Sequence, residues 1–187
     1  MRIIAGDFRG RALASVGKGD QAAHLRPTTD RVRESLFNIL GSGRFDDPIT
    51  GARVLDLFAG TGAIGLEAMS RGADHLCCVE MGGKSLNILR KNIEICGVSE
   101  RTQVKKIDAT RLPKCDTEPY SLIFLDPPYK KGLGERALPS AARQGWIAPD
   151  ALITWEEGSD VSLPDGFSIL DKRKFGDTQA TFLRYTE

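Results

Sequence analysis

Four residues near the middle of the chain, Asp-Pro-Pro-Tyr at positions 126–129, have the chemistry to hold a planar amine. They follow the apolar run 122–125, which predicts a buried strand that ends just before Asp126. The Asp126 carboxylate and the Pro127 carbonyl can each accept one N–H of an exocyclic amino group, while Tyr129 stacks on the base that carries it. The prolines restrict the backbone, so both acceptors are held in place before a substrate arrives. The motif therefore predicts chemistry at the amino group of a nucleobase.

A second motif lies upstream, at residues 56–65, between a predicted strand and a predicted helix. Gly60, Gly62 and Gly65 have the G-x-G-x-x-G spacing of cofactor-binding loops, which suits both NAD and S-adenosylmethionine (SAM). NAD brings a pyrophosphate to such a loop, whereas SAM has no phosphate and carries a sulfonium and an ammonium group. The carboxylate of Asp56 would repel the first cofactor and attract the second. The motif therefore favours SAM.

Two acidic residues at later strand ends extend this prediction. Glu80 follows the next predicted strand and can accept hydrogen bonds from both hydroxyls of a ribose. Asp108 follows the third strand and is placed to meet an adenine, but a turn or a helix cap explains it equally well. The predicted cofactor contacts are Asp56, Phe58, Ala59, Gly60, Thr61, Gly62, Glu80, Asp108 and Ala109.

Alternating strands and helices must position these motifs. The predicted strands lie near 53–57, 75–80, 102–107, 121–126 and 151–155, and the predicted helices lie near 63–71, 84–96 and 134–144. Such alternation predicts an α/β fold whose parallel sheet has helices on both faces, and ligands then bind beyond the carboxyl ends of the strands. Both motifs stand at such ends. Residues 167–171 and 181–185 have no helix between them and predict an antiparallel hairpin.

The charge of the chain is unevenly distributed. Residues 1–44 have a net charge of +4, residues 45–170 have −4 and residues 171–187 have +1. We therefore divide the chain into a basic N-terminal extension, residues 1–44, and a SAM-binding catalytic domain, residues 45–187. A basic end on an acidic body predicts contact with a polyanion such as RNA, and a merely solvated basic surface is the alternative.

Within this extension, apolar runs at 2–5 and 11–14 predict a hairpin, and residues 28–40 predict a helix capped by Thr28, Thr29 or Asp30. The predicted apolar face of the helix consists of Val32, Leu36, Ile39 and Leu40. The predicted RNA contacts are Arg9, Arg11, Arg26, Arg31 and Arg33. Ion pairs that fasten the extension to the body are the alternative for some of these arginines.

The remaining composition argues against several classes of protein. Cys77 and Cys78 are adjacent and Cys96 and Cys115 are isolated, so no pair has the spacing of a zinc site or of a redox C-x-x-C motif, and we expect no metal. No apolar run reaches the roughly 20 residues that span a bilayer, and the N-terminus lacks the apolar stretch of a signal peptide. We therefore expect a cytoplasmic protein that does not bind a membrane.

The chain resembles the RsmD family of bacterial 16S ribosomal RNA guanine-N2 methyltransferases over residues 2 to about 181. The segments that carry the resemblance are Gly-Asp-Phe-Arg-Gly-Arg at 6–11, Arg-Pro-Thr-Thr-Asp-Arg-Val-Arg-Glu-Ser-Leu-Phe-Asn at 26–38, the loop 56–65 with its continuation at 70–73, and 126–129. The resemblance implies a seven-stranded class I methyltransferase. It also implies a guanine of 16S rRNA as the substrate, in the small ribosomal subunit or its assembly intermediate. Thr61 and Ser35 stand where the family often has Ser and Ala.

Three other functions stay open at this point. Similar Asp-Pro-Pro-Tyr motifs serve adenine-N6 methyltransferases, so the chain fits another nucleic-acid amine methyltransferase, acting on DNA or on a different RNA. An NAD-dependent oxidoreductase would satisfy the glycine spacing and leave Asp126 unexplained. A non-catalytic RNA-binding protein on a methyltransferase scaffold would have no use for an intact cofactor loop, residues 56–65, or for an intact amine clamp, residues 126–129.

Overall fold

A computed structural model describes residues 1–15 and 30–187. Arg26, Thr28 and Thr29 lie outside the described residues, so their predicted roles stay predictions. The strands are β1 Arg53–Leu57, β2 His75–Val79, β3 Thr102–Lys105, β4 Tyr120–Leu125, β5 Ile147–Glu157, β6 Phe167–Phe175 and β7 Thr178–Tyr185. The helices are α1 Asp30–Leu40, α2 Ala63–Ser70, α3 Gly83–Cys96 and α4 Gly134–Arg143.

All seven strands form one sheet in the order β3-β2-β1-β4-β5-β7-β6. The first five strands of this order pair in parallel, and β7 pairs antiparallel with both β5 and β6. The predicted mostly parallel sheet with a C-terminal antiparallel hairpin is therefore confirmed. β5 begins earlier than predicted, at Ile147, because a register shift opposite Tyr120 lets Ile147 join the ladder.

Alternate residues of the central strands point to two apolar cores. Val54 of β1 belongs to the core that α1, α2 and α3 cover, whereas Leu55 and Leu57 belong to the core that α4 covers. Ile3 and Leu13 of the N-terminal residues are buried in the first core. The extension thus shares its core with the body, and the boundary between residues 44 and 45 stays a prediction.

The N-terminal hairpin has less strand pairing in the structure than the sequence predicts. A single antiparallel bridge joins Arg2 to Ala12, where a pair of strands was expected. The backbone N–H groups of Ile4 and Ala5 bind the Glu67 carboxylate of α2 at 2.8 and 3.0 Å. Because these donors are satisfied by a side chain, they take no part in a ladder.

The buried face of helix α1 overlaps the predicted one but is shifted toward Arg33 and Phe37. Its buried side chains are Arg33, Leu36, Phe37 and Leu40, and Val32 and Ile39 are only partly buried. The predicted apolar face left Arg33 out, but Arg33 is buried, because the surrounding structure supplies polar partners that apolar periodicity does not reveal. In the part of the chain that the structure describes, no helix is both long enough and apolar enough to cross a membrane.

Candidate active site

The carboxyl ends of four parallel strands form the floor of the site. The registers align Leu57 of β1 with Val79 of β2 and with Leu125 of β4, and Leu125 with Trp155 of β5. The residues that directly follow this row are Phe58, Glu80, Asp126 and Glu156. The two predicted motifs therefore meet at one edge of the sheet, since β1 and β4 are neighbours.

The glycine loop that follows β1 has an unusual backbone. Phe58, Gly60 and Gly62 have φ angles of 66°, 56° and 78°, all in the left-handed region. A side chain other than glycine reaches this region at a cost of about 1–3 kcal/mol, and such residues concentrate at ligand sites. At Gly62, a Cβ atom would lie 2.4 Å from Cδ1 of Leu89 in α3, so only glycine lets α3 pack against the loop.

Asp56 lies behind this loop, with 2% of its surface exposed. Its Oδ2 accepts a hydrogen bond of 3.1 Å from the backbone N–H of Gly65 in α2. Burial raises the pKa of Asp56 to about 8, and the negative charges of Asp126 and Glu80 raise it further than burial alone would. A cation bound nearby would lower this pKa, so the edge favours a cationic ligand such as SAM and disfavours a pyrophosphate.

Glu80 follows β2, where the ribose of a cofactor was expected. Its Oε2 accepts a hydrogen bond of 2.8 Å from the N–H of Gly60, and its Oε1 accepts one of 2.5 Å from the N–H of Gly82. The carboxylate thus links the first glycine of the loop to the start of α3. Each oxygen retains a second lone pair that can accept a hydroxyl hydrogen, so the ribose contact stays a prediction.

Asp108 forms a turn. Its Oδ1 accepts hydrogen bonds from the N–H and from the hydroxyl of Thr110, at 2.9 and 2.8 Å, and these bonds lower the pKa of Asp108. Ala109 is buried beside it. The capping alternative is what the structure shows for Asp108, and its contact with an adenine stays a prediction.

The amine clamp is positioned by β5 and β7. Asp126 is half-buried and Pro127 is buried. The hydroxyl of Tyr129 lies 3.1 Å from the hydroxyl of Thr178, the first residue of β7. Burial, with the charges of Asp126, Glu156 and Glu157, raises the pKa of Tyr129 to about 12, so this hydroxyl keeps its proton at neutral pH.

Glu157, at the end of β5, fixes the backbone that follows the clamp. Its Oε1 accepts hydrogen bonds from the N–H groups of Lys130, at 3.2 Å, and of Gly158, at 2.9 Å. Lys130 has a φ of 62°, and a Cβ atom at Gly158 would lie 3.1 Å from the ring of Tyr129. The tyrosine ring is thus confined by a close backbone and held at its hydroxyl end.

Sequence reasoning missed Glu156, Glu157 and Thr178. Glu156 and Glu157 directly follow the apolar run 151–155, as Asp126 follows the run 122–125, so the same signal could have found them. Thr178 carries no such signal, because its role depends on the register of an antiparallel hairpin.

The sequence profile of the family described as conserved hypothetical protein 95 matches residues 1–184. Ribosomal RNA small subunit methyltransferase D of Escherichia coli strain K12 is 38% identical over 164 residues, which are 88% of this chain and 78% of that protein. The chain belongs to the RsmD family. The relative with the same name from Haemophilus influenzae is 34% identical over 181 residues, 94% of this chain and 89% of that protein.

Solved structures agree with the RsmD assignment. The yhhF protein of Escherichia coli superposes with a TM-score of 0.81 at 34% identity, over 100% of this chain and 98% of that one. TrmN from Thermus thermophilus, at 22% identity, superposes with a TM-score of 0.68 over 90% of this chain and 53% of that one, and it supports the fold alone. The RsmD-family chain therefore has the class I methyltransferase fold.

The predicted RNA contacts of this RsmD-family chain are not all at its surface. Arg9, Arg11 and Arg31 are exposed, and Arg26 lies outside the described residues. Arg11 also donates a hydrogen bond of 2.9 Å to the carbonyl of Ile95 in α3. Arg9 is exposed in the turn of the hairpin, and its contact with a phosphate stays a prediction.

The prediction that Arg33 contacts RNA is wrong. Its side chain is fully buried, it donates to the carbonyl of Arg2 and, at 3.0 Å, to Asp30, and its Nε lies 3.7 Å from Glu67. A guanidinium in this position cannot reach an RNA phosphate. It fastens the extension to α2, which confirms for Arg33 the alternative that the arginine forms an ion pair with the body.

Asn92 of α3 joins the extension to the cofactor loop. Its Oδ1 accepts a hydrogen bond of 2.7 Å from the N–H of Ala14, and its Nδ2 donates to the carbonyls of Ala14, at 3.1 Å, and of Thr61, at 2.9 Å. Asn92 is fully buried and uses both ends of its amide. No pattern in the sequence predicted this link.

Among the described residues, no group of three or more His, Cys, Asp or Glu side chains is arranged to hold a metal ion. All four cysteines are free thiols, three of them buried.

Proposed function

We propose that this protein transfers a methyl group from SAM to the N2 amine of one guanine in 16S rRNA, within the small ribosomal subunit or its assembly intermediate in the cytoplasm. The observation that carries the proposal is the pairing of β1 with β4, which places the glycine loop beside the Asp126 clamp. The substrate is supported by the relatives named ribosomal RNA small subunit methyltransferase D.

The residues at the carboxyl edge of the sheet suit SAM. The loop 58–62 offers a close backbone approach, and Glu80 has lone pairs free to accept ribose hydroxyls. Asp126 supplies negative charge for a sulfonium and an ammonium group, and a bound cation would lower the pKa of Asp56 and favour its ionised form. When bound, SAM supplies the methyl group, whose transfer breaks its bond to sulfur and forms a bond to nitrogen. The same carboxylates would repel the pyrophosphate of NAD, which argues against the oxidoreductase alternative.

The clamp residues make a poor nucleophile reactive. The lone pair of an aromatic amine is delocalised into the ring, so the nitrogen attacks weakly. When the Asp126 carboxylate and the Pro127 carbonyl each accept one N–H, the nitrogen moves toward a tetrahedral geometry and its lone pair points at the methyl group. Asp126 then takes the proton that the methylated nitrogen loses. Tyr129 stacks on the base, which is worth about 1–3 kcal/mol and offsets much of the cost of unstacking it from the RNA.

The test is methyl transfer to small subunits from a strain that lacks this protein. With radiolabelled SAM, we expect label in N2-methylguanosine after digestion of the 16S rRNA to nucleosides. Label in N6-methyladenosine would favour the adenine-directed alternative, and SAM binding without any transfer would favour a non-catalytic RNA-binding protein.

The Asp126→Ala variant tests the clamp itself. We expect it to bind SAM normally in calorimetry and to lose turnover by roughly 100-fold or more, on the scale of removing one preorganised polar group from an active site. The matched control is Glu100→Gln, a charge removal at an exposed position outside the site. Equal turnover by Asp126→Ala and the control would contradict the clamp.

A further inference from the structure

Glu156 of β5 lies opposite Asp126 in the register of the sheet. Leu125 of β4 pairs with Trp155 of β5, so the residues that follow them, Asp126 and Glu156, lie side by side. Val54, Phe124 and Leu152 of the three strands all face the core beneath α1. Because side chains alternate along a strand, Asp56 and Glu156 point to that same face, and Asp126 is close enough for its charge to act on both.

The carboxyl group of Glu156 is buried and incompletely satisfied. Only 3% of the residue is exposed, and its Oε1 makes no hydrogen bond within the structure. Burial, reinforced by the charges of Asp126 and Asp56, raises the pKa of Glu156 well above its ordinary value. This shift favours the neutral acid, which has a hydroxyl donor beside a carbonyl acceptor. A buried polar atom without a partner is costly, and at a site it marks where a ligand atom completes the bonding.

The edge of guanine next to its amine has the complementary pattern. Beside the N2 amine stands N1, which carries a hydrogen, and beyond it stands the O6 acceptor. Adenine differs, because both ring positions that flank its N6 amine lack a hydrogen to donate. Neighbouring strands lie about 4.8 Å apart, a spacing comparable to the width of the N2–N1–O6 edge. One carboxyl group can thus hold the amine while the other faces N1 and O6.

We propose that Glu156 is the residue that selects guanine, its carboxyl group accepting the N1–H and donating to O6 while Asp126 and Pro127 hold the N2 amine. This inference rests on the proposed function and adds to it a reason for the choice of base. The Asp-Pro-Pro-Tyr motif alone does not supply that reason, since it contacts only the amine.

The test compares two substrates, small subunits assembled with either guanosine or 2-aminopurine ribonucleoside at the methylated position. 2-Aminopurine keeps the amine at C2 and lacks both O6 and the hydrogen on N1. We expect wild-type kcat/KM to be at least about tenfold higher for guanosine, and Glu156→Leu to lose most of that ratio because its guanosine activity falls while its 2-aminopurine activity changes little.

Two further variants make the result decisive. Glu156→Gln has an acceptor and a donor in the same place, so it should keep the wild-type preference for guanosine, and loss of that preference would overturn the proposal even if Glu156→Leu does not fold. Glu100→Gln is the surface control. An equal loss on both substrates in a folded Glu156→Leu would assign Glu156 a structural role and overturn the proposal. Absence of transfer to guanosine by the wild type would instead be a failure of the proposed function.

Discussion

The hydroxyl of Tyr129 is the point at which the C-terminal hairpin acts on the clamp. A free tyrosine after two prolines would rotate about its side-chain bonds, and ordering it on substrate binding would cost entropy. The hydrogen bond to Thr178 and the backbone of Gly158 restrict the ring beforehand. The stacking surface is therefore prepared by residues of β5 and β7 that need not touch the substrate.

Two substitutions separate the ring from its hydroxyl. Tyr129→Phe and Thr178→Val each remove the same hydrogen bond, so we expect equal and modest losses of turnover, up to about tenfold, and no further loss in the double variant. Tyr129→Ala removes the stacking surface and should lose about 10- to 100-fold, with SAM affinity unchanged in calorimetry. If Tyr129→Phe and Tyr129→Ala were equally inactive, stacking would be the wrong role.

Asp56 makes the stability of the cofactor-free protein depend on pH. Its pKa is about 8 in the folded protein, whereas an unfolded carboxyl group has a pKa near 4. Folding therefore favours the protonated form, and the contribution of this group to the free energy of unfolding is present at low pH and is lost as the pH rises through this window. Asp56→Asn keeps an acceptor for the N–H of Gly65 and cannot ionise.

The melting temperature of Asp56→Asn, relative to wild type, should therefore rise between about pH 5 and about pH 8. Circular dichroism on both proteins in matched buffers measures this difference. A constant difference across that range would show that Asp56 does not change its ionisation on folding.

At the scale of single residues, the sequence predicts acids at strand ends and fails for contacts between distant segments. Asp126 and Glu80 were found because a carboxylate follows an apolar strand in each case. The burial of Arg33 was not predicted, because it depends on an ion pair with Glu67, which lies 34 positions further along the chain. Apolar periodicity assigns an arginine to the surface unless its partner is known.

At the scale of elements, α2 serves two segments at once. Its N-terminus supports the cofactor loop, and its far end receives the N-terminal residues through Glu67 and Ser70. The Ser70 hydroxyl accepts a bond of 2.9 Å from the N–H of Phe8 and donates one of 2.6 Å to the carbonyl of Ala5. Docking of the extension therefore depends on backbone contacts that require a close approach at residues 4–8.

Gly6 and Gly10 form a matched pair for testing this docking. Both have a left-handed φ, +80° and +83°, but a Cβ atom at Gly6 would lie 1.8 Å from the carbonyl oxygen of Ser70, and one at Gly10 would meet nothing within 4 Å. Both alanine variants carry the conformational cost of about 1–2 kcal/mol. Gly6→Ala should lose a further 1–3 kcal/mol, roughly, of unfolding free energy, because the extension must move away from α2.

Urea denaturation of the two variants measures this difference. Equal destabilisation by Gly6→Ala and Gly10→Ala would mean that the extension does not contribute to the stability of the body.

The elements themselves followed closely from sequence patterns. Strand β1 and the starts of α2 and α4 lie where apolar runs, helical periodicity and glycine positions predicted them. The N-terminal hairpin was the poorer prediction, because its backbone groups bond to side chains of α2 that no local pattern reveals. Local sequence signals thus predicted helices, whose backbone hydrogen bonds are internal, and strands that pair with neighbouring strands.

On the scale of the whole molecule, the N-terminal extension and the body carry opposite net charges. The extension has a net charge of +4 and the residues from 45 to 170 have −4. The acids at the carboxyl edge favour a cationic cofactor but oppose a polyanionic substrate. We propose that the exposed arginines of the extension, above all Arg9, offset this repulsion by contacting RNA phosphates.

Neutralising Arg9 and Arg11 together should raise the Michaelis constant for the ribosomal substrate and leave SAM affinity unchanged. The dependence of RNA affinity on salt should become shallower, because each lost phosphate contact removes roughly 0.7 to 0.9 from the log–log slope. The control is Arg143→Gln, an exposed charge on α4 at the opposite face of the sheet. An unchanged slope in the double variant would exclude the phosphate contacts, and lower thermal stability with normal RNA affinity would assign both arginines to fastening the extension.

β7 is the strand that completes the sheet as the chain is synthesised. β7 is translated after every other strand of the sheet, yet it lies between β5 and β6. A nascent chain that ends before β7 already contains the glycine loop and Asp126, but β6 has no neighbour to pair with and Tyr129 has no Thr178 to hold it. We therefore expect the sheet edge and the support of Tyr129 to be completed only once β7 has been translated.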